Sequence, residues 1–192
     1  MTGLAGDERV DGRRAVADRN RDAILEAAIQ VLGAEPDAGI AEVAAAAGVG
    51  RATVYRHFPS RDALIEALRE KAGDEARRRF ADARVDEGDP IDALERLVSA
   101  TLALGDRYRV VFPQERHPGP RRSQVMLRPL GRIIARAQAE GSIDPELPPA
   151  WVVASLRALV RAAVIEVEAR RLSREDAAAR VVRTLVRGVR SA

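Results

Sequence analysis

Five side chains that can donate hydrogen bonds to phosphate oxygens or base edges are crowded into one short stretch: Arg51, Thr53, Tyr55, Arg56 and His57. No acid lies between Glu42 and Asp62, whereas Arg51, Arg56, His57 and Arg61 all do. A cluster of guanidinium, hydroxyl and imidazole groups without carboxylates suits a polyanion. Phosphate contacts set position, and guanidinium forks read guanine O6 and N7. Just upstream, Gly48-Val49-Gly50 separates this stretch from the apolar spacing of Ile40, Val43, Ala44 and Ala47. Two helices joined by a short Gly-containing turn form a helix-turn-helix, whose second helix enters a DNA major groove.

Other chemistries find less support. The chain has no cysteine, which excludes disulfide scaffolds and thiolate metal sites. His57 and His117 are too far apart for ligand spacing, and neither sits in a His/carboxylate cluster; the reading is not an enzyme. No run is apolar for long enough to cross a bilayer, so the expectation is a soluble cytoplasmic protein. Bulk charge does not diagnose the partner. The 192 residues carry 32 basic and 29 acidic side chains, but residues 1–83 hold 13 basic against 15 acidic. The grip on phosphate must therefore come from the local patch rather than from a basic domain.

The elements that must position this patch read as helices throughout. Ile24, Ala27, Ala28, Val31 and Leu32 mark one helix face, ended by Gly33 and Pro36. Short helices follow at about 40–47 and 51–58, the second burying Val54 and Phe58. Pro59 breaks it, and Ser60 is an N-cap for a long helix with Leu64, Leu68, Ala72, Ala76 and Phe80 inward. Gly73 in that helix marks either a bend or close packing. Ile91, Leu94, Val98 and Leu102 line another helix. Gly105 to Arg122 reads as irregular, and a helix at about 123–140 should kink or restart at Pro129. Two final helices carry the stripes Leu156, Leu159, Val160, Ala163, Val164, Val167 and Ala178, Val181, Val182, Leu185, Val186, Val189, separated by the capping pair Ser173 and Asp176. The fold class is all-α.

Residues from about Arg19 to Leu68 resemble the N-terminal domain of tetracycline-repressor-type (TetR family) transcription regulators. The resemblance rests on Ile24-Leu25-Glu26-Ala27-Ala28, Val43-Ala44, Ala47-Gly48-Val49, and the run Thr53-Val54-Tyr55-Arg56-His57-Phe58-Pro59-Ser60-Arg61-Asp62-Ala63-Leu64. Residues 1–18, polar and Gly-containing, read as a flexible arm, and the resemblance implies a helix-turn-helix domain at 19–66 and a helical effector-binding and dimerisation domain at 67–192. It also implies a repressor that binds a palindromic double-stranded operator as a homodimer, releases it on binding an unknown small-molecule effector, and needs no cofactor. In the family pattern Thr53, Tyr55, His57 and Arg61 match phosphate-contacting positions. Arg51, Ala52 and Arg56 match positions facing base edges or the groove wall. Where the family has Ser or Thr capping the second helix, this chain has Ala38-Gly39, so that contact either comes from backbone N–H groups or is absent.

Several residues have a bland reading beside the functional one. Tyr55 is expected to pack its ring between helices with its hydroxyl at phosphate. The run Arg77-Arg78-Arg79 reads as a solvated helix face. The basic end of the arm (Arg13, Arg14, Arg19, Arg21) is either an idle tail or a strand laid along DNA. Tyr108, Phe112, Met126, Leu130, Ile134 and Trp151 are either a ligand-pocket wall or ordinary core. Arg128, Arg132 and Arg136 either attract an anionic ligand or decorate the surface. Apolar residues outside the last two stripes, Val152, Val153 and Leu172 among them, suit a four-helix dimer interface.

Overall fold

The computed structural model describes the backbone of residues 7–109 and 120–189, and the side chains of residues 16–109 and 127–188. Among these residues there are eight α-helices and no strands: α1 Asp7–Ala34, α2 Ile40–Ala46, α3 Arg51–His57, α4 Arg61–Asp82, α5 Pro90–Arg107, α6 Pro120–Ala139, α7 Pro149–Glu168 and α8 Arg174–Val189. The all-α expectation is met.

The chain divides into two compact units. The first comprises Met1–Lys71 with Arg107–Pro113, and the second Ala72–Asp106 with Gln114–Ala192. In the first, α1, α2 and α3 pack on one another. Their shared interior takes Ile24, Leu25, Ala28 and Leu32 from α1, Val43 and Ala44 from α2, and Val54 with Phe58 at the end of α3, joined by Leu64 and Leu68. Each large aliphatic or aromatic group buried in this way contributes about 1.5–3 kcal/mol. This is the scaffold that holds α3.

Two sequence expectations need correcting here. Residues 7–18, read as part of a flexible arm, belong to α1. Gly12 is the least helical residue there and no proline interrupts, and the Ala- and Arg-containing run that follows propagates the turn already set by the apolar stripe. Residues 107–109, assigned by the boundary at 67 to the second domain, pack in the first unit. Tyr108 is fully buried, Arg107 donates to Glu26 at 2.7 Å, and Arg109 donates to the carbonyl of Gly33. Lys71 reaches the same Glu26 carboxylate at 3.2 Å, so α1 and α4 are joined at one acid.

In the second unit α6 packs on α7 and α7 on α8. Leu94, Leu97, Val98, Ile133, Ile134, Val152, Leu156, Val181 and Leu185 are buried. The helix α6 runs unbroken through Pro129, where the sequence predicts a kink or restart. Gly73 needs no close packing, since an added Cβ would meet only the tip of Arg77 at 3.7 Å. The arginines spaced along α6 have their own task. Arg136 donates to the carbonyls of Val85 and Gly88, and Arg132 pairs with Asp86 at 2.8 Å. With Arg96, which donates to Ala83 and Glu87 carbonyls, they satisfy orphan carbonyls at the end of α4 and its turn.

Helix ends follow local rules. Ser60 Oγ accepts from the Ala63 N–H at 3.1 Å, Asp89 caps α5, and Ser173 accepts from the Asp176 N–H at 3.0 Å. The end of α7 breaks a rule instead. Arg170 N–H donates to Val167 and Arg171 N–H to Glu166 in a Schellman closure, but the residue at φ 56° is Arg170 rather than glycine. A left-handed non-glycine residue costs about 1–2 kcal/mol, partly offset by the backbone entropy glycine would lose. Arg170→Gly is therefore expected to raise unfolding free energy by about 0.5–1 kcal/mol in urea denaturation. Beside it Arg171 forks onto Glu166 at 2.7 and 2.8 Å, and this hydrogen bonding holds the Glu166 carboxyl below the usual carboxylate range. The tie is present at neutral pH and is lost as acid protonates Glu166 through that lowered pKa.

Candidate nucleic-acid interface

Helix α3 is seven residues long, and its orientation is set by what it buries. Val54 is fully buried and Phe58 nearly so, one turn apart at the core. With 3.6 residues per turn, the opposite face must carry Arg51, Ala52, Tyr55 and Arg56, and all four are exposed. Thr53 and His57 lie on the flanks, half-buried. The Tyr55 ring is 50% exposed, so it projects rather than packing between helices as the sequence reading had it. Arg51 and Arg56 form no ion pair among the described residues, in contrast with Arg69, Arg77 and Arg79 on α4, which pair with Glu66, Asp74 and Glu75. The cations of α3 are thus uncommitted, whereas two of the three in the 77–79 run belong to a solvated, self-neutralised face.

The turn before α3 is a complete Schellman closure of α2. Gly48 N–H donates to Ala45 at 3.1 Å and Val49 N–H to Ala44 at 3.0 Å, with Gly48 at φ 67°. A Cβ at Gly48 would meet nothing within 4 Å, so the requirement is conformational and not steric crowding. Gly48→Ala is expected to destabilise by about 0.5–1 kcal/mol, the left-handed penalty less the backbone entropy that alanine saves, read as a lower thermal midpoint with the helical circular dichroism spectrum kept. This turn also sets the angle between α2 and α3, and so the direction in which the free face of α3 is presented.

Two candidate residues are partly committed elsewhere. The Gly39 N–H, the substitute for the missing Ser/Thr cap, donates to Glu42 Oε2 at 3.0 Å. This is the reciprocal half of a capping box, since glycine has no side chain to supply the other half. The exposed Arg61 guanidinium donates to the Pro36 carbonyl, tying the start of α4 to the turn after α1. Arg51, Ala52, Thr53, Tyr55, Arg56 and His57 come together on one short helix, while Gly39 and Arg61 lie at the starts of α2 and α4.

The residues read as either pocket wall or core are divided between the two units. Tyr108 is interior to the first unit, Leu130 and Ile134 are interior to the second, and Trp151 is 61% exposed. Phe112 and Met126 lie outside the residues whose side chains are described. A small cavity that the sequence did not indicate lies in the second unit between the ends of α5 and α7 and the start of α8, lined by Leu102, Gly105, Asp106, Val164, Val167, Glu168 and Arg174. Its volume is about 20 Å³, room for one water. Arg174 pairs with Asp106 there at 3.1 Å.

Residues 24–68 match the family described as bacterial regulatory proteins, tetR family. The HTH-type transcriptional repressor LfrR of Mycolicibacterium smegmatis is 32% identical over 162 residues, which cover 76% of this chain and 77% of that protein. The crystal structure of LfrR in complex with proflavine superposes with a TM-score of 0.70 at 29% identity, over 91% of this chain and 99% of that one. A transcriptional regulator from Rhodococcus sp. shares the fold, with a TM-score of 0.72 at 24% identity over 90% of this chain and 100% of that one.

Proposed function

Since the chain belongs to the tetR family of bacterial regulatory proteins and is a transcriptional regulator rather than an enzyme, we propose that it is a repressor that binds a palindromic operator as a homodimer and leaves it when a small-molecule effector binds. One observation carries the DNA-reading part: α3 is anchored by Val54 and Phe58 and offers Arg51, Ala52, Tyr55 and Arg56, all exposed, on its free face. In this reading Arg51 and Arg56 meet base edges across the groove that Ala52 lines. Thr53, Tyr55, His57 and Arg61 hold phosphates, and Gly39 joins them only if Glu42 yields its N–H. The helix-turn-helix domain carries this work, and the second unit carries effector binding and dimerisation. Such a protein acts where the chromosome is, in the cytoplasm; no helix among the described residues is long and apolar enough to cross a membrane.

The dimer is supported by α7. Trp151, Ala154, Ala158, Ala162 and Ile165 share an exposed apolar face, and Leu159 beside it is only half-buried. An apolar face opposite the one that packs in the core needs cover from a second body. A second copy supplies it with two-fold symmetry, and each head then takes one half-site about one DNA turn from the other.

For the effector, LfrR binds proflavine, a planar aromatic cation. Here the cavity by Leu102, Val164 and Val167 also carries Asp106, already paired with Arg174, and Glu168, which forms no ion pair among the described residues; the one uncompensated carboxylate beside apolar walls favours an apolar cation. At about 20 Å³ it must widen at least about fifteenfold, because pockets for drug-sized ligands measure roughly 300–1,000 Å³. The reading is tested by selecting bound duplexes from a random library with the purified protein. A palindromic consensus with half-sites one turn apart is the expected result. A folded protein that enriches no sequence would end it.

A further inference from the structure

The apolar stripe of α1 has an unusual continuation. Ile24, Leu25, Ala28 and Leu32 are all buried, and one turn earlier on the same face stands Arg21. Its guanidinium carbon lies 5.4 Å from the centroid of the Phe58 ring, at the C-terminal end of α3. The His57 ring adjoins the same Phe58, with centroids 6.3 Å apart. Arg21 is only half-buried and forms no ion pair among the described residues. Its neighbour Asp22 lies 3.9 Å from Lys71. Arg107 also lies over an aromatic ring, that of Tyr108, but its fork is spent on Glu26 at 2.7 Å.

We propose that Arg21 is a DNA-phosphate contact, presented by the Phe58 ring beside His57 at the exit of the recognition helix. This rests on the DNA-reading assignment of α3 and adds to it a residue from a different helix. An arginine over an aromatic face spends its π surface on the ring and keeps its in-plane N–H groups for another partner. A guanidinium held this way loses little side-chain entropy on gripping a phosphate, and its fork matches two phosphate oxygens. Phe58 thereby serves both as the core anchor of α3 and as the platform for the contact. Arg21 contributes register and affinity, and no base discrimination.

The test uses the full chain, the operator obtained by selection and a scrambled duplex of equal length, with affinity measured from low to moderate salt. Arg21→Gln keeps much of the side chain's bulk and removes the charge; Arg21→Lys keeps the charge and removes the fork. For Arg21→Gln, affinity for both duplexes is expected to fall by a similar factor, about tenfold at low salt, with an unchanged thermal midpoint. The slope of log affinity against log salt should decrease by about 0.9 per phosphate contact, roughly 1.8 for a dimer. Arg21→Lys should keep most of the slope and lose a few-fold in affinity. If Arg21→Gln binds with the parent's slope, the proposal is overturned. It is equally overturned if affinity falls together with the thermal midpoint while the slope stays, because Arg21 is then only a rim packing residue. Failure of the parent itself to prefer any duplex would instead remove the assignment of α3, a separate result.

Discussion

Replacing Arg51 by alanine is expected to cost the protein most of its sequence preference while leaving it folded. Arg51 opens α3, is exposed, and has no carboxylate partner among the described residues, so its loss removes no ion pair seen there. At the entry of a recognition helix a guanidinium can address guanine O6 and N7 together, a contact worth about 1–3 kcal/mol of discrimination. Two-fold symmetry counts it twice, giving roughly 2–6 kcal/mol against the selected operator, or about 30-fold to about 2 × 10⁴-fold. Scrambled duplex should lose far less, since only the electrostatic part is removed. Fluorescence anisotropy at one fixed salt concentration on both duplexes reads this directly. Equal losses on the two would place Arg51 on the backbone, and no loss on either would remove α3 from the interface. The contrast with Arg21 is built in: one residue changes preference, the other changes grip.

Ile165→Asp is expected to abolish the dimer, and with it operator binding, without unfolding the chain. Ile165 is 46% exposed on α7, so in a single chain the new carboxylate is solvated and costs little. In a two-fold interface built on this face it is buried without a partner, twice. A buried uncompensated charge costs several kcal/mol; about 3 kcal/mol for each copy makes roughly 6 kcal/mol, a change near 10⁴-fold in the dimerisation constant. Light scattering should report a monomer, circular dichroism an unchanged helix content, and anisotropy the loss of specific binding. A variant that remains dimeric would move the interface off this face of α7.

Legibility in the sequence followed the range of the interaction. The closure of α2 at Gly48, the cap at Ser60 and the pair Ser173–Asp176 were all readable, because each is decided within a few residues by φ or by one hydrogen bond. The stripe Ile24, Ala28, Leu32 and the anchors Val54 and Phe58 were readable because burial imposes a helical period. The arm was misread for the converse reason: polar residues at 7–18 carry no stripe, and continuation of α1 through them depends on propagation from a helix already nucleated.

What escaped the sequence were side chains whose partners lie far along the chain. Spacing on α6 offered Arg132 and Arg136 as ligand contacts, yet both are drawn to the turn after α4 by carbonyls and a carboxylate about 50 residues away. Trp151 and Tyr108 were equal candidates for a pocket wall, and packing left one exposed and the other buried in the first unit. No local signal links Arg21 to Phe58 across 37 positions.

By itself, then, the sequence determined that this chain is helical, that it belongs with the DNA-reading regulators, and that Arg51–His57 is the helix to watch. Periodicity, turn chemistry and an acid-free cluster are properties of neighbouring residues, and they are written along the chain. Which of its many arginines are free was decided only by the tertiary structure. A guanidinium goes to the nearest acceptor in space, and that acceptor is set by packing: Glu26 for Arg107, the α4–α5 turn for Arg136, and for Arg21 a ring face that leaves its N–H groups open.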